Sequence, residues 1–418
     1  MDPLKKVLII IAIISFATFV ALFGRLPAFR KTPIGWLHRF LLGTIPRAAH
    51  RVDVHYTGGK VTLSLSRVRN YLMHENHPII LIFFVGLLLI SECLFIPPAW
   101  SLVGPTNHIL IPIVALTPYY LIYACATSTS SMITPQNHFA QMRHYPYDHT
   151  LFYPNHICRT CNLLKPARSK HCSICKACIA RHDHHCIWVR NCIGRGNYGF
   201  FISLLFSLSV LLLYGATLGF SILSTKLAAM APKNKTNSTP PWSSTLSWPV
   251  YLDLLADTVA NDIRIGAITL LSAMTLPLAA GFLLYHTYLI WAGMTTNESG
   301  KWADWRDDIK DHVVFRAKSS AVFGPRAYRD FNLEPRVEWP LVVDQILVRT
   351  MDGRAPEFGR GREARLRARL KDGQDGEDGY DEDDDRDPVW IKVRSLDEVH
   401  NSYDLGFWDN FLEIFRIR

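Results

Sequence analysis

The chain has 418 residues, a hydrophobic fraction of 49% and a formal net charge of +9. That fraction is ordinary for a globular protein, so composition alone does not announce a membrane protein, but the gathering of apolar residues into a few long runs does. No nucleic-acid-binding motif accompanies the positive charge, so the expected partner is a membrane surface or an anionic small molecule, and not nucleic acid.

A membrane-crossing helix needs about 20 mostly apolar residues. Five segments qualify, at about 7–26, 78–96, 108–127, 200–223 and 265–291. The first follows Lys5 and Lys6, as a signal peptide would. Its apolar stretch is long for that, and no small-x-small cleavage site closes it, so it is read as a retained span. Glu92 and His286 are the polar exceptions within the runs. Both lie near an end, where snorkelling to the interface is the expected behaviour.

Basic residues set the orientation. The linker after the first run carries Arg30, Lys31, Arg39, Arg47, Arg51, Lys60, Arg67 and Arg69 against Asp53 and Glu75. The short loop after the second run is uncharged, and the Cys-rich stretch after the third is basic again. Alternation then places the linker, the Cys-rich stretch and the long tail in the cytosol. The loop at about 224–264 faces the lumen, and it holds two glycosylation triplets, at Asn234 and Asn237. Asn297-Glu-Ser has the same form, but would be cytosolic and unused. In the tail, the run of acid and Gly from Asp372 to Asp387 cannot bury a core and is expected to be a solvated linker. Near the end, Leu405, Trp408, Phe411, Leu412 and Phe415 fall at helical spacing. They predict a short interfacial or docked helix.

Seven of the nine Cys lie between Cys158 and Cys192, in the order C-x2-C-x9-H-C-x2-C-x2-C-x4-D-H-H-C-x5-C. Structural zinc takes four Cys or His ligands, and CxxC pairs bring two thiolates to one metal from a tight turn. With His171, His182, His184 and His185 there are eleven candidate groups. Two zincs need eight, so three are left over, and spacing alone does not say which. The block can be a scaffold only, with the surplus His at the surface. Local chemistry argues for more: a thiol beside an imidazole can ionise to a nucleophile, and a carboxylate fixes the imidazole's tautomer. Asp183, His184 and Cys186 lie within four residues and can supply all three roles.

At these residues the sequence resembles the cysteine-rich domain of the DHHC protein S-acyltransferases, the palmitoyltransferases. The resemblance covers Cys158 to Phe201, including KPARSKHC from Lys165 and CIWVRNCIGRGNYGFF from Cys186. It extends to Thr295-Thr296-Asn297-Glu298, like the family's TTxE motif, and to the aromatic YDLGFWDN from Tyr403. The resemblance implies one zinc on Cys158, Cys161, His171 and Cys178, and another on Cys172, Cys175, His185 and Cys192. It makes Cys186 the acyl-carrying nucleophile, His184 its base and Asp183 the residue that orients His184. His182 is left as a surface residue. The Thr pair is expected to hydrogen-bond near Asp183, and Asn410 to anchor the tail. Relatives commonly have four spans, so the first run would be an additional one.

The expected fold is therefore an α-helical polytopic membrane protein of about five spans. A small cytosolic two-zinc domain lies between spans three and four. The expected divisions are a first span at 1–27, a basic cytosolic linker at 28–77 and a transmembrane hairpin at 78–127. The DHHC domain at 128–199, a second hairpin with a luminal loop at 200–291 and a cytosolic tail at 292–418 follow. Palmitoyl-CoA is the expected acyl donor, with Lys165, Arg168 and Lys170 as candidates for its phosphates. The layout resembles a fungal endoplasmic-reticulum branch of the family, whose clients are SNARE-type membrane proteins with a cysteine beside a single span. The rival expectation is a non-catalytic, zinc-dependent membrane scaffold.

Overall fold

The computed structural model describes residues 31–230, 256–323, 337–356 and 390–415, with a few single residues between 13 and 29. The expected first span lies outside the described residues apart from those single positions. The glycosylation triplets at Asn234 and Asn237 and the acidic run at 372–387 also lie outside them. The chain divides into two compact units. One comprises Met1–Ala126, Ile187–Arg190 and Phe200–Tyr285; the other comprises Thr127–Cys186, Asn191–Gly199 and His286–Arg418.

The first unit opens with a short helix, α1 (Pro33–Arg39), and one π-helical turn. Two helices come next where a linker was expected, α2 (Ile45–Thr57) and α3 (Lys60–His74). Gly58 and Gly59 join them at φ of 68° and 85°, a left-handed conformation that glycine adopts without a Cβ penalty. The apolar runs then form α4 (Ile79–Trp100) and α5 (Pro105–Thr127). Two more long helices are α6 (Tyr198–Met230) and α7 (Ile263–Trp291). Among the described residues these four are long and apolar enough to cross a membrane.

Phe95 and Ala99 of α4 pack with Ile222 and Leu223 of α6, and with Val259 and Ile265. Gly219 of α6 is a point of close approach: a Cβ there would lie 1.9 Å from Thr269 Oγ1 of α7. Small residues at such crossings let helix backbones meet, which is how helices associate where the surrounding lipid is as apolar as they are. Glu92 does not snorkel. It accepts a hydrogen bond at 2.8 Å from the Tyr119 hydroxyl of α5, a partner 27 residues away on the next helix that no local pattern reveals.

The second unit holds small sheets in place of long helices. β1 (Met132–Ile133), β3 (Ala177–Ile179) and β2 (Lys170–Cys172) form an antiparallel sheet in that spatial order. β4 (His184–Cys186) and β5 (Asn191–Ile193) form a hairpin. In the tail, α8 (Thr296–Lys310) precedes a three-stranded sheet with β6 (Val314–Ala317) between β7 (Ile346–Arg349) and β8 (Ile391–Lys392). Val314, Leu347 and Val393 bury its face against Ile309 of α8. A second core joins Tyr145, Tyr147, Leu151, Phe152 and Tyr403, with Trp302, Trp305 and Trp339 against it.

The terminal helix is α9 (Phe407–Phe415). It docks through Asn410 and Ile414, each 1% exposed, while Trp408 is 72% exposed. The buried face is therefore not the apolar stripe that the spacing picks out. The reason is polar: Glu413 receives the Tyr145 hydroxyl and pairs with the buried Arg181 at 3.3 Å.

Candidate functional site

The Cys-rich segment folds as two knuckles and two hairpins. In each CxxC turn the second Cys donates its backbone N–H to the first sulfur at 3.4 Å. The residue that follows, Asn162 or Lys176, takes a positive φ of 53° or 54°. Each hairpin then sets a His directly across from a Cys, with His171 opposite Cys178 and His185 opposite Cys192. The result is two four-ligand groups, Cys158-Cys161-His171-Cys178 and Cys172-Cys175-His185-Cys192.

Their spacing fits a tetrahedral metal. Zn–S near 2.3 Å and Zn–N near 2.0–2.1 Å put neighbouring ligand atoms roughly 3.5–3.8 Å apart. In the first group His171 Nδ1 lies 3.5, 3.4 and 3.8 Å from the sulfurs of Cys158, Cys161 and Cys178. In the second, His185 Nδ1 lies 3.7, 3.3 and 3.6 Å from those of Cys172, Cys175 and Cys192. Both groups are suited to zinc. Each supplies four protein ligands, which leaves no open position for a substrate.

Strand geometry separates holding metal from doing chemistry. Successive side chains along a strand point to opposite faces. On β2, His171 and Cys172 therefore join different groups. On β4, His185 turns to the second group, and His184 and Cys186 share the other face.

There His184 Nδ1–H donates to Asp183 Oδ2 at 2.6 Å. The Cys186 thiol also hydrogen-bonds to the imidazole and is 6% exposed. Burial would lower the pKa of His184, but the bonds to Asp183 and Cys186 outweigh it and push the pKa up to about 10. Burial opposes ionisation of Asp183 too, yet its bond to His184 and the Thr296 N–H hold it below the usual carboxylate range.

The start of α8 fixes Asp183. The Thr296 N–H donates to Asp183 Oδ1 at 2.7 Å and the Thr296 hydroxyl to Oδ2 at 3.0 Å. A helix N-terminus is a favourable place for a carboxylate. Thr295 caps the same helix: its Oγ1 accepts from Glu298 N at 3.2 Å, and Glu298 Oε2 accepts from Thr295 N at 2.9 Å. The Thr295 hydroxyl also donates to the His182 carbonyl at 3.2 Å. At the other end of the tail, Asn410 Oδ1 receives Leu405 N at 2.9 Å, and its amide donates to Asp404 at 2.8 Å and to the Trp291 carbonyl at 3.4 Å.

Three expectations change. His182 is 6% exposed, not a surface residue, because the Thr295 turn covers it. Arg168 is fully enclosed: Nε and Nη2 donate to the two Glu298 oxygens at 2.8 and 2.7 Å, and the guanidinium lies over the Tyr403 ring at 4.5 Å. It has no access to a phosphate in solution. His286, expected to snorkel, is 1% exposed, receives the Tyr198 hydroxyl on Nδ1 at 3.0 Å and lies 5.9 Å from the His184 ring. Asp183, His184 and His286 form a third cluster of metal-type groups among the described residues. Asp183 is already occupied by Thr296 and His184, so a positioning role suits this cluster better than a third metal. A lone His in an apolar run was the available signal for His286. Nothing local marked Glu298 as the partner of Arg168.

Beside this site is a cavity of about 610 Å³ whose lining includes Lys165, Lys170, Lys301, Thr296 and Asn297. Lys170 Nζ donates to Asn297 Oδ1 at 3.0 Å. Burial holds the Lys301 ammonium below its usual pKa.

Comparison with known proteins places these observations. A profile described as DHHC palmitoyltransferase matches residues 151–303. Palmitoyltransferase swf1 of Emericella nidulans is 45% identical over 99% of this chain and 97% of its own length. Palmitoyltransferase swf1 of Aspergillus fumigatus is 48% identical over 80% of this chain and 85% of its own. Palmitoyltransferase SWF1 of Neurospora crassa is 40% identical over 96% of this chain and 90% of its own. With matches that run through spans, Cys-rich block and tail alike, the chain belongs to the DHHC palmitoyltransferase family of membrane-embedded protein S-acyltransferases.

Proposed function

We propose that this palmitoyltransferase works through an acyl-enzyme on Cys186, with palmitoyl-CoA as donor and cysteine thiols of membrane-protein clients as acceptors. The observation that carries the proposal is the hydrogen-bonded line Thr296, Asp183, His184, Cys186. His184 takes the proton of Cys186 and holds it as an imidazolium against Asp183. The thiolate attacks the thioester carbonyl of palmitoyl-CoA. The carbon–sulfur bond to CoA breaks, CoA leaves as its thiolate and takes the proton held by His184, and the palmitoyl group stays on Cys186. A client thiolate, its proton accepted by His184, attacks that second thioester, and Cys186 is restored. Each step exchanges one thioester for another, so no oxidant or nucleotide is consumed.

Cys158, Cys161, His171 and Cys178 hold one zinc in this reading, and Cys172, Cys175, His185 and Cys192 hold the other. Zinc supplies structural cross-links there, and the strand that carries His185 also carries His184 and Cys186. Lys165 and Lys170 remain the candidates for the CoA phosphates, since both line the 610 Å³ cavity. Lys301 of the same lining joins them. Transfer in two phases suits the donor: the acyl chain partitions to hydrocarbon at about 0.8 kcal/mol per methylene, and CoA stays in water.

The basic linker and Cys-rich block support a cytosolic position for the catalytic domain, 128–199, and the tail, 292–418. Clients are then membrane proteins with a cytosolic cysteine beside a span, of the SNARE type, in the endoplasmic reticulum. The test is labelling of the full chain with a palmitoyl-CoA probe. Label removable by neutral hydroxylamine is expected on the wild type and absent from Cys186→Ala. Equal label on both removes Cys186 from the reaction. Lys165→Ala/Lys170→Ala is expected to raise KM for palmitoyl-CoA with little change in kcat.

A further inference from the structure

The segment between the first apolar run and α4 reads as a charged linker, but it folds as a helical hairpin with an apolar side left open among the described residues. On α2, Ile45, Ala49, Val52 and Tyr56 recur at spacings of four, three and four, which is one helix face. On α3, Val61, Leu65, Val68 and Leu72 repeat the pattern. These side chains are open: Val52 is 57% exposed, Tyr56 79%, Val61 52%, Leu65 64% and Val68 55%. Asp53 alone is buried in the two helices, and it is spent on the turn, where it accepts from Thr62 N and Thr62 Oγ1, each at 2.7 Å, and from the Thr57 hydroxyl. The hairpin is thus built as a unit whose apolar stripes face outward.

Its charge says what covers them. Arg39, Arg47, Arg51, Lys60, Arg67 and Arg69 lie along the segment, and Asp53 is the acid among them. A second copy of the same hairpin would bring like charges together. An anionic lipid surface would neutralise them while the stripes enter the boundary of the acyl chains. Helices of 13 and 15 residues with this pattern are too short to cross a bilayer and suited to lie on one. The chain also keeps them there. α3 ends at His74 and α4 begins at Ile79, so even full extension leaves its end within about 17 Å of the span. We propose that α2 and α3 lie in the plane of the leaflet as a receptor for anionic lipid headgroups, seating the enzyme by their apolar stripes and arginines.

The experiment uses the full chain in nanodiscs of phosphatidylcholine, with or without phosphatidylserine. Tyr56 and Leu65 are replaced, one at a time, by the photo-cross-linker benzoylphenylalanine. After irradiation, a lipid-mass adduct on the hairpin is expected, with a yield that rises when phosphatidylserine is present. Each arginine near an anionic surface contributes about 1 kcal/mol, or about fivefold in occupancy. Arg47→Gln/Arg51→Gln should lower the ratio of docked to free hairpin by about 25-fold in phosphatidylserine discs. Arg47→Lys/Arg51→Lys should retain the adduct, which separates loss of charge from loss of fold. An adduct joining two copies, absence of any lipid adduct, or a lipid yield indifferent to phosphatidylserine would overturn the proposal.

Discussion

Removal of the Glu298 carboxylate tests the junction between the Cys-rich domain and α8. Glu298 is 1% exposed and holds Arg168, itself fully buried, through bonds of 2.8 and 2.7 Å. Glu298→Ala leaves the guanidinium with one remaining polar partner, the Gly293 carbonyl at 3.1 Å. Breaking a buried pair from one side costs about 3–5 kcal/mol. The variant also loses half of the capping box on Thr295, worth about 1 kcal/mol more. The assay is thermal unfolding of the full chain in detergent, followed with zinc release to a chromogenic chelator. Glu298→Ala should melt and release zinc at clearly lower temperature. Arg168→Met/Glu298→Leu, which puts an apolar pair in the same space, should recover most of the loss, because neither charge is then stranded. A Glu298→Ala protein as stable as wild type would refute this reasoning. So would an Arg168→Met protein of unchanged stability and raised KM for palmitoyl-CoA, which would return the guanidinium to the donor.

Thr296→Ala removes one hydroxyl donor from Asp183 and leaves the backbone bond. A hydrogen bond to a charged group is worth about 1.5–3 kcal/mol, so acyl-enzyme formation should slow by roughly tenfold or more, mainly in kcat, with Thr296→Ser recovering. Cys186→Ser should abolish transfer while the melting temperature and zinc content stay at wild-type values. Cys178→Ala breaks one ligand group at a buried position; metal analysis should find about one zinc per chain, and the domain should unfold readily, because structural zinc is folding free energy. Gly219→Leu forces a side chain into Thr269 of α7 and should lower the melting temperature of the membrane unit.

Much of the site was legible because its signals are short-range. The CxxC turns, the His beside Cys and the DHHC run lie within a few dozen residues, and the apolar runs that became α4, α5, α6 and α7 need only length. Counting left three surplus groups, and the β4–β5 hairpin resolved two of them by alternation: His185 to one face, His184 and Cys186 to the other. Contacts across long sequence separations were not legible. Arg168 and Glu298 are 130 residues apart, and a basic residue among basic residues reads as a surface charge. His286 and Glu92 looked like span-end exceptions until Tyr198 and Tyr119 appeared as their partners. The sheet of β6, β7 and β8 leaves no signal in the sequence because its strands are two to four residues long and scattered through a polar tail. The hairpin of α2 and α3 was masked by its charge, although its four-three-four spacing was present.

The central claim is that one sulfur stays off the metal while the neighbouring ligands are tied to two zincs. Zinc K-edge X-ray absorption on the wild type and on Cys186→Ser tests it most directly. Two zincs per chain are predicted in both proteins, each with three sulfurs and one nitrogen, as the two ligand groups require. A lower sulfur count in Cys186→Ser would make Cys186 a ligand and contradict the account.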